Sequence, residues 1–279
     1  MKLMRKSASY IFAVLLSVVL FTGCSGYNRI MKASDYDAKY SLAKSMFIEG
    51  KYTNCSSILE ECVVMFRGTK KAEESMFLLA SCYFNIGDYL AASQYFTACF
   101  RTFSTGIYSE TSRFLSGKSL FLDMPDPRLD ASSTFSAIQE LQNFVEAYPH
   151  STYRKEAEDM IFTMYDRLAE KELKTAQLYY NMGNYLGNNY LSGIIVAQNA
   201  MLDYPQTKYR EDFAILILRS RYQMAEESVK SKKESRYRDT IDEYYAFKND
   251  FPESRYMKEA DKIFRQASKN VNVTDIQEE

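Results

Sequence analysis

Two short phrases recur along the chain and constrain its fold more than any other feature of the sequence. The triplet Gly-x-Tyr begins at Gly50, Gly87 and Gly183. A second phrase, aromatic-Pro-x-Ser/Thr-x-Tyr, occupies residues 148–153, 204–209 and 251–256, with degenerate copies that begin at Phe66 and Phe103. Such self-similarity is the signature of an array of similar units. The five copies of the second phrase therefore predict about five units.

The spacing of apolar residues between these phrases is helical. Steps of three and four residues separate Leu79, Tyr83 and Ile86, and likewise Ala92, Phe96 and Cys99. Glycine readily adopts the left-handed backbone that ends a helix, and proline cannot continue one. Each unit is therefore predicted to be a pair of helices. The Ser or Thr two residues beyond each proline is predicted to cap the first helix of the next unit.

This pattern resembles the tetratricopeptide repeat, a helical hairpin of about 34 residues. The second unit carries the resemblance most clearly, with small residues at Ala80 and Ala92 where the two helices would touch. The resemblance covers most of residues 35–265 and implies an all-α fold, a superhelical solenoid of about five tetratricopeptide-like helical hairpins. Because the later prolines are further apart, longer helices are expected there, with residues 154–182 forming one of them.

The beginning of the chain has the features of an export signal. Lys2, Arg5 and Lys6 precede a mainly apolar stretch that is shorter than the roughly 20 residues needed to cross a bilayer. The stretch ends in Thr-Gly-Cys24, which resembles the lipobox of bacterial lipoproteins. That resemblance implies cleavage before Cys24 and a covalent lipid on its thiol, while a plain secretory signal with an incidental cysteine is the alternative. Residues 25–28 contain no acidic side chain, which by lipoprotein sorting rules implies the outer membrane, facing the periplasm.

These features give a predicted organisation of the whole chain. It comprises a signal peptide at residues 1–23, a lipidated linker at 24–34, repeats 1–3 at 35–150, repeats 4–5 with a capping helix at 151–268, and a mobile tail at 269–279. The formal net charge is −1, and loss of the three positive residues in the signal peptide lowers it to −4. No basic footprint for nucleic acid exists at that balance.

Residues for catalysis or metal binding are scarce. His150 is the only histidine and lies in a turn, so histidine triads and histidine metal sites are excluded. Residues 116–119, Ser-Gly-Lys-Ser, imitate the end of a phosphate-binding loop, but Ser112 stands where that loop needs glycine. Residues 41–44 match a Ser-x-x-Lys pattern without its companion motifs. The chain is predicted not to be an enzyme and to need no cofactor or metal beyond the lipid on Cys24.

Four further cysteines follow Cys24. Cys55, Cys62 and Cys99 fall on the small packing positions of the repeat and are expected to be buried apolar residues. A bridge between Cys62 and Cys82 is the alternative in an oxidising compartment.

The middle of the chain is similar to one family in particular. Residues 144–157 (Phe-Val-Glu-Ala-Tyr-Pro-His-Ser-Thr-Tyr-Arg-Lys-Glu-Ala), residues 166–180 and residues 200–205, placed behind a lipoprotein signal, resemble the BamD family. These are lipoproteins of the outer-membrane β-barrel assembly machinery. The departures are extra residues around Gly187 and a basic segment at residues 230–233.

The resemblance implies a non-enzymatic scaffold with several protein partners. Its C-terminal repeats would bind the periplasmic domains of a BamA-like barrel protein, with other assembly-complex subunits, and its N-terminal repeats would receive targeting sequences of unfolded outer-membrane proteins. The lipid anchor would be the only contact with the membrane. Candidate partner-binding residues are Arg167, Tyr179, Tyr180 and Tyr185, since interfaces depend on aromatic and arginine anchors; structural packing is the alternative for each aromatic.

Two other classes of protein remain open. One is another tetratricopeptide envelope lipoprotein, such as a pilotin or a cell-envelope coordinator. The other is a SusD-like glycan-binding lipoprotein, although such chains are generally much larger.

Overall fold

The computed structural model describes residues 34–126 and 131–271, and within them the chain forms helices and turns without strands. The eleven helices of this part are α1 (Tyr36–Ile48), α2 (Tyr52–Met65), α3 (Ala72–Ile86), α4 (Tyr89–Thr102), α5 (Ser109–Leu122), α6 (Ser132–Ala147), α7 (Arg154–Met182), α8 (Asn189–Asp203), α9 (Arg210–Glu226), α10 (Lys230–Asp250) and α11 (Met257–Ser268). The predicted signal peptide, the lipid site at Cys24 and most of the predicted tail lie outside the described residues.

Helices that follow one another in the chain pack against one another, as in a repeat solenoid. Pairing them in order gives five hairpins, from α1–α2 to α9–α10, followed by the single helix α11. The prediction of an all-α helical repeat is confirmed. The long helix predicted over residues 154–182 is α7, with 29 residues.

The chain divides into two compact units, and each is described by itself. Among the described residues, the first unit contains those up to Met124 together with Ser136–Ala157, and the second contains those within Pro125–Phe135 and those from Glu158 onward. The predicted repeat boundaries at residues 150 and 268 stay predictions, because the division follows packing and not repeat register.

The glycine of the Gly-x-Tyr phrase ends the first helix of a hairpin. Gly87 has a φ of +90°, which non-glycine residues rarely adopt, and its amide donates to the carbonyl of Tyr83 at 3.1 Å. The next residue, Asp88, caps α4 by accepting a hydrogen bond from the amide of Ala91 at 3.1 Å. Two adjacent residues thus end one helix and start the next.

The second phrase forms the same turn in all five copies. The amide at the Ser/Thr position donates to the carbonyl of the opening aromatic at 2.9–3.1 Å. The Ser and Thr side chains do not cap the following helix, so that prediction is wrong. The residues at the N-termini of α9 and α11 are Tyr209 and Tyr256, and Thr207 and Ser254 accept hydrogen bonds from their amides at 3.4 and 2.9 Å.

In several of these turns an acidic side chain from the preceding hairpin accepts hydrogen bonds from the turn residues. Asp166 accepts hydrogen bonds from the Thr207 hydroxyl at 2.7 Å and from the Lys208 amide at 3.1 Å. In the copy that begins at Phe103, the Ser/Thr position is Gly106, and the Glu73 carboxylate accepts directly from the Tyr108 amide at 2.8 Å. The acid therefore takes over the role that a hydroxyl has in the other turns.

Small residues lie where helices approach most closely. Ala80, Ala92 and the cysteines Cys55, Cys62, Cys82 and Cys99 are fully buried. All four of these cysteines are free, and Cys82 lies beside Cys55. The structure therefore supports the prediction of buried apolar cysteines over the Cys62–Cys82 bridge.

Candidate functional site

The first helices of neighbouring hairpins present one candidate binding face in the first unit. Lys44 of α1 and Glu74 of α3 form an ion pair with Nζ and Oε1 2.6 Å apart, and this hydrogen bond lowers the pKa of Glu74. Tyr40 and Tyr108 lie beside the pair, and burial, together with the Glu74 carboxylate, raises the pKa of both phenols. This face, which we call the N-terminal face, offers the half-buried ring of Tyr108 next to paired charges, with Tyr40 buried beneath them.

A corresponding face in the second unit contains a cleft of about 260 Å³. It is lined by Leu173, Lys174, Gln177, Asp212, Ile215, Arg219 and Tyr256. Arg219 lies on one side of the cleft and forms a bidentate ion pair with Glu259. Its Nε is 2.7 Å from Oε1, and its Nη2 is 2.6 Å from Oε2. The Tyr256 hydroxyl donates to Asp212 at 2.6 Å. This C-terminal face is built from α7, α9 and the start of α11.

A larger cavity, of about 440 Å³, opens beside the turn that follows α8. Its walls are Phe162, Tyr165, Asp166, Asp203, Tyr204, Pro205, Gln206 and Thr207. The Asp166 carboxylate already accepts two hydrogen bonds from the turn. This carboxylate therefore stabilises the turn between α8 and α9.

The predicted partner-binding residues are not brought into one site. Arg167 is half-buried and donates to the carbonyl of Pro125 at 2.9 Å, so it holds the chain that leads into α6. Tyr179 and Tyr180 lie further along α7, about 18 Å away by helical rise. Tyr180 packs edge-on against Tyr190 with ring centroids 5.9 Å apart. Their roles in partner binding stay predictions.

Tyr185 differs from the other tyrosines of the Gly-x-Tyr phrase. Tyr52 and Tyr89 open α2 and α4, but α8 begins only at Asn189, after extra residues. Tyr190 takes the packing role: it is buried, and its hydroxyl donates to Glu227 at 2.7 Å. Burial, together with Glu227, raises the pKa of Tyr190 to about 12. Tyr185 is left 68% exposed.

The motifs that imitate reactive sites have structural roles. The Ser-Gly-Lys-Ser segment lies inside α5, where its amides are in the helix, and Lys118 pairs with Glu156 at 2.7 Å. Ser41 donates to the carbonyl of Asp37 at 2.9 Å. His150 is exposed in its turn. Within residues 34–126 and 131–271, no group of three or more His, Cys, Asp or Glu side chains could hold a metal ion.

No helix in the described ranges combines the length and the apolar character needed to cross a bilayer.

The fold and these faces together define a helical-repeat protein of the tetratricopeptide type. The family model of the YfiO outer membrane lipoproteins matches residues 32–235, from just before α1 into α10. The chain belongs to this family, which is the BamD family, as the sequence resemblance predicts. The family is non-enzymatic, which confirms the prediction that the chain is not an enzyme. No curated protein matches the chain.

Proposed function

We propose that the protein is a lipid-anchored scaffold of the β-barrel assembly machinery. It binds the periplasmic domains of a BamA-like barrel protein through its C-terminal repeats, and targeting sequences of unfolded outer-membrane proteins through its N-terminal repeats. The observation that carries the proposal is the family match, which spans four hairpins, the first helix of the fifth and the start of its second helix. The lipid is attached to Cys24, and the protein faces the periplasm.

The N-terminal face supports the assignment of the client site. An extended peptide that ends in an aromatic residue needs aromatic surface for that residue and polar groups beside it for its backbone. Tyr108, which is half-buried, supplies the first, with Tyr40 buried behind it, and the Lys44–Glu74 pair supplies the second. The ring of Tyr108 is held in place by stacking on Phe77, with centroids 4.4 Å apart.

The C-terminal face supports the assignment of the BamA-like partner. Its cleft combines an apolar floor of Leu173 and Ile215 with the arginine and tyrosine side chains that dominate binding energy at protein interfaces. The ion pair of Arg219 with Glu259 holds the guanidinium in one orientation before binding. A preorganised side chain loses less entropy when a partner docks.

Two matched substitutions in the full chain test the assignment of faces. Lys44→Trp places a bulky ring on the N-terminal face, and Gln177→Trp places the same ring in the C-terminal cleft. We expect Lys44→Trp to weaken binding of a client targeting peptide with little change in binding of BamA-like periplasmic domains, and Gln177→Trp to do the reverse. Circular dichroism would first show that both variants keep the helical content of the original chain.

These experiments test the assignment of ligands to the two faces separately from membership of the assembly machinery. If both substitutions weaken the same ligand, the division of labour between the faces is wrong. If the original chain captures no BamA-like protein from solubilised outer membranes, membership of the assembly machinery is refuted and a pilotin or coordinating lipoprotein becomes the better description.

A further inference from the structure

The loop between α7 and α8 carries exposed apolar side chains at its tip. Residues 183–188 are longer than the equivalent connections at Gly50 and Gly87, and Leu186 is 90% exposed. Leu186 also has a φ of +58°, a left-handed conformation that is costly for a leucine. Folding alone gives no reason for an exposed leucine in this conformation.

Hydrogen bonds hold this loop against the end of α9. Asn184 Nδ2 donates to Glu227 Oε2, and the Tyr190 hydroxyl donates to Glu227 Oε1, both at 2.7 Å. Asn188 Nδ2 lies 3.4 Å from the sulfur of Met224. The loop is therefore adjacent to the turn that joins α9 to α10.

That neighbouring turn continues the exposed surface with apolar and basic residues. Val229 is 65% exposed and precedes Lys230, Lys232 and Lys233, which begin α10. None of these three lysines has an ion pair within the described ranges. Three unpaired cations at a helix N-terminus are unfavourable for the helix itself, because its dipole favours negative charge there.

The acidic side chains near this surface are engaged with other partners. Glu227 holds the loop, Glu226 accepts from the Tyr222 hydroxyl, and Glu234 pairs with Arg238 at 3.2 Å. Glu227 and Glu234 remain exposed, but each of the three carboxylates already has a hydrogen-bond partner within the protein. The lysines thus carry the charge that is free to meet a ligand.

We propose that Tyr185, Leu186, Val229, Lys230, Lys232 and Lys233 form a membrane-contact edge that binds an anionic phospholipid surface. Exposed apolar residues at loop tips, beside unpaired lysines, are the features by which proteins lie on charged bilayers. Leu186, Val229 and Tyr185 are exposed, whereas helical and proline-rich peptide ligands dock in apolar or aromatic-lined grooves. Because the family consists of outer membrane lipoproteins, a lipid surface lies within reach. Such an edge would be a second membrane contact beside the lipid anchor, which the sequence resemblance implies to be the only one.

Vesicle binding by the full mature chain with Cys24→Ser, which removes the thiol that is predicted to carry the lipid, tests this inference. We expect co-sedimentation with vesicles of phosphatidylglycerol and phosphatidylethanolamine, and much weaker binding to phosphatidylcholine alone. Triple reversal of Lys230, Lys232 and Lys233 to Glu should weaken partitioning by about 100-fold or more, since each lysine near such a surface contributes about 1 kcal/mol. The charge-matched control is reversal of three exposed lysines elsewhere, Lys70, Lys155 and Lys258.

A fluorescence measurement reports insertion of the loop. The chain contains no tryptophan, so Tyr185→Trp creates a single reporter. We expect its emission to shift to the blue on addition of anionic vesicles and to be quenched by brominated lipid. Leu202→Trp, on a residue that is 78% exposed near the other end of α8, should show neither effect.

The results decide between a lipid and a protein ligand. The inference is overturned if the chain does not bind anionic vesicles, or if the control reversals weaken binding as much as reversal of the edge lysines. It is also overturned if the Tyr185→Trp emission shifts with BamA-like domains and not with vesicles, since the edge would then be a protein interface. None of these outcomes bears on whether the N-terminal and C-terminal faces bind their own ligands.

Discussion

The sequence repeat and the structure predict opposite effects of Gly106→Ser on stability. The other copies of the phrase have Thr69, Ser151, Thr207 or Ser254 at this position. A consensus argument would therefore replace Gly106 with Ser to gain stability. In the structure, however, a Cβ on Gly106 would lie 2.1 Å from Glu73 Oε1. The carboxylate would have to leave the Tyr108 amide, from which it accepts at 2.8 Å.

The expected free energies follow from that contact. A hydrogen bond to a charged group contributes about 1.5–3 kcal/mol, and one to a neutral hydroxyl about 0.5–1.5 kcal/mol. Gly106→Ser exchanges the first for the second, so we expect it to lower the free energy of unfolding by about 1 kcal/mol. Glu73→Ala alone should cost about 1.5–3 kcal/mol. In the double variant the new hydroxyl can serve the Tyr108 amide unhindered, so we expect it to be about as stable as Gly106→Ser alone, and the two effects are then non-additive by about 1.5–3 kcal/mol, the contribution of the lost bond to the carboxylate.

Urea unfolding followed by circular dichroism would measure these differences, and thermal midpoints should move by about 2–4 °C per kcal/mol for a chain of this size. The matched control is Ser151→Gly, which removes the 3.1 Å bond from the Tyr153 amide to a hydroxyl where no acid competes. A Gly106→Ser protein as stable as the original, or strictly additive effects with Glu73→Ala, would show that the carboxylate does not complete this turn.

Three further predictions concern the anchor, the packing and the response to acid. Cys24→Ala should leave the protein unlipidated and released from the membrane fraction, and mass spectrometry that finds an unmodified N-terminus in the original protein would contradict the anchor. Ala92→Leu should lower stability by about 1–3 kcal/mol through overpacking, and an unchanged melting temperature would mean that α3 and α4 do not meet at this residue. The hydrogen bond from Arg219 lowers the pKa of Glu259, so its contribution to stability is complete above the ordinary glutamate pKa of about 4.3 and is lost as the pH falls through the lower folded value. Urea unfolding across this range should show a shallower acid limb for Glu259→Gln than for the original protein.

The fold could be predicted from the sequence because glycine and proline, whose backbone conformations are distinctive, mark the ends of many of its helices. Gly87 marks the end of α3 through a backbone conformation that favours glycine, and the prolines mark the ends of later second helices. Apolar residues at steps of three and four predicted which faces are buried, and Leu79 and Phe96 are indeed in the core. The family also followed from the sequence, through the residues around α7.

The contacts between acidic side chains and the later repeat turns could not be predicted, because they join residues several tens of positions apart in the chain. The capping role assigned to Thr207 was wrong for this reason: its partner Asp166 lies 41 positions earlier, on α7. Similarly, Tyr185 has the same place in the Gly-x-Tyr phrase as Tyr52 and Tyr89, which open α2 and α4. Only the path of the longer loop shows that Tyr190 fills that position.

The site residues were the least predictable part. Interface candidates chosen as aromatic or arginine residues on the long helix include Arg167, whose guanidinium binds the carbonyl of Pro125 inside the protein. The lysines at the start of α10 were visible as a basic segment, but their lack of acidic partners is a property of the folded chain.

The four buried cysteines can report on opening of the folded protein. Cys55, Cys62, Cys82 and Cys99 all belong to the first two hairpins, and none is accessible in the folded state. The unfolded chain exposes these thiols to the oxidants and alkylating agents around it, and formation of the hairpins buries them. The rate at which a thiol reagent modifies the folded protein therefore measures how often this part of the array opens, without any label being introduced.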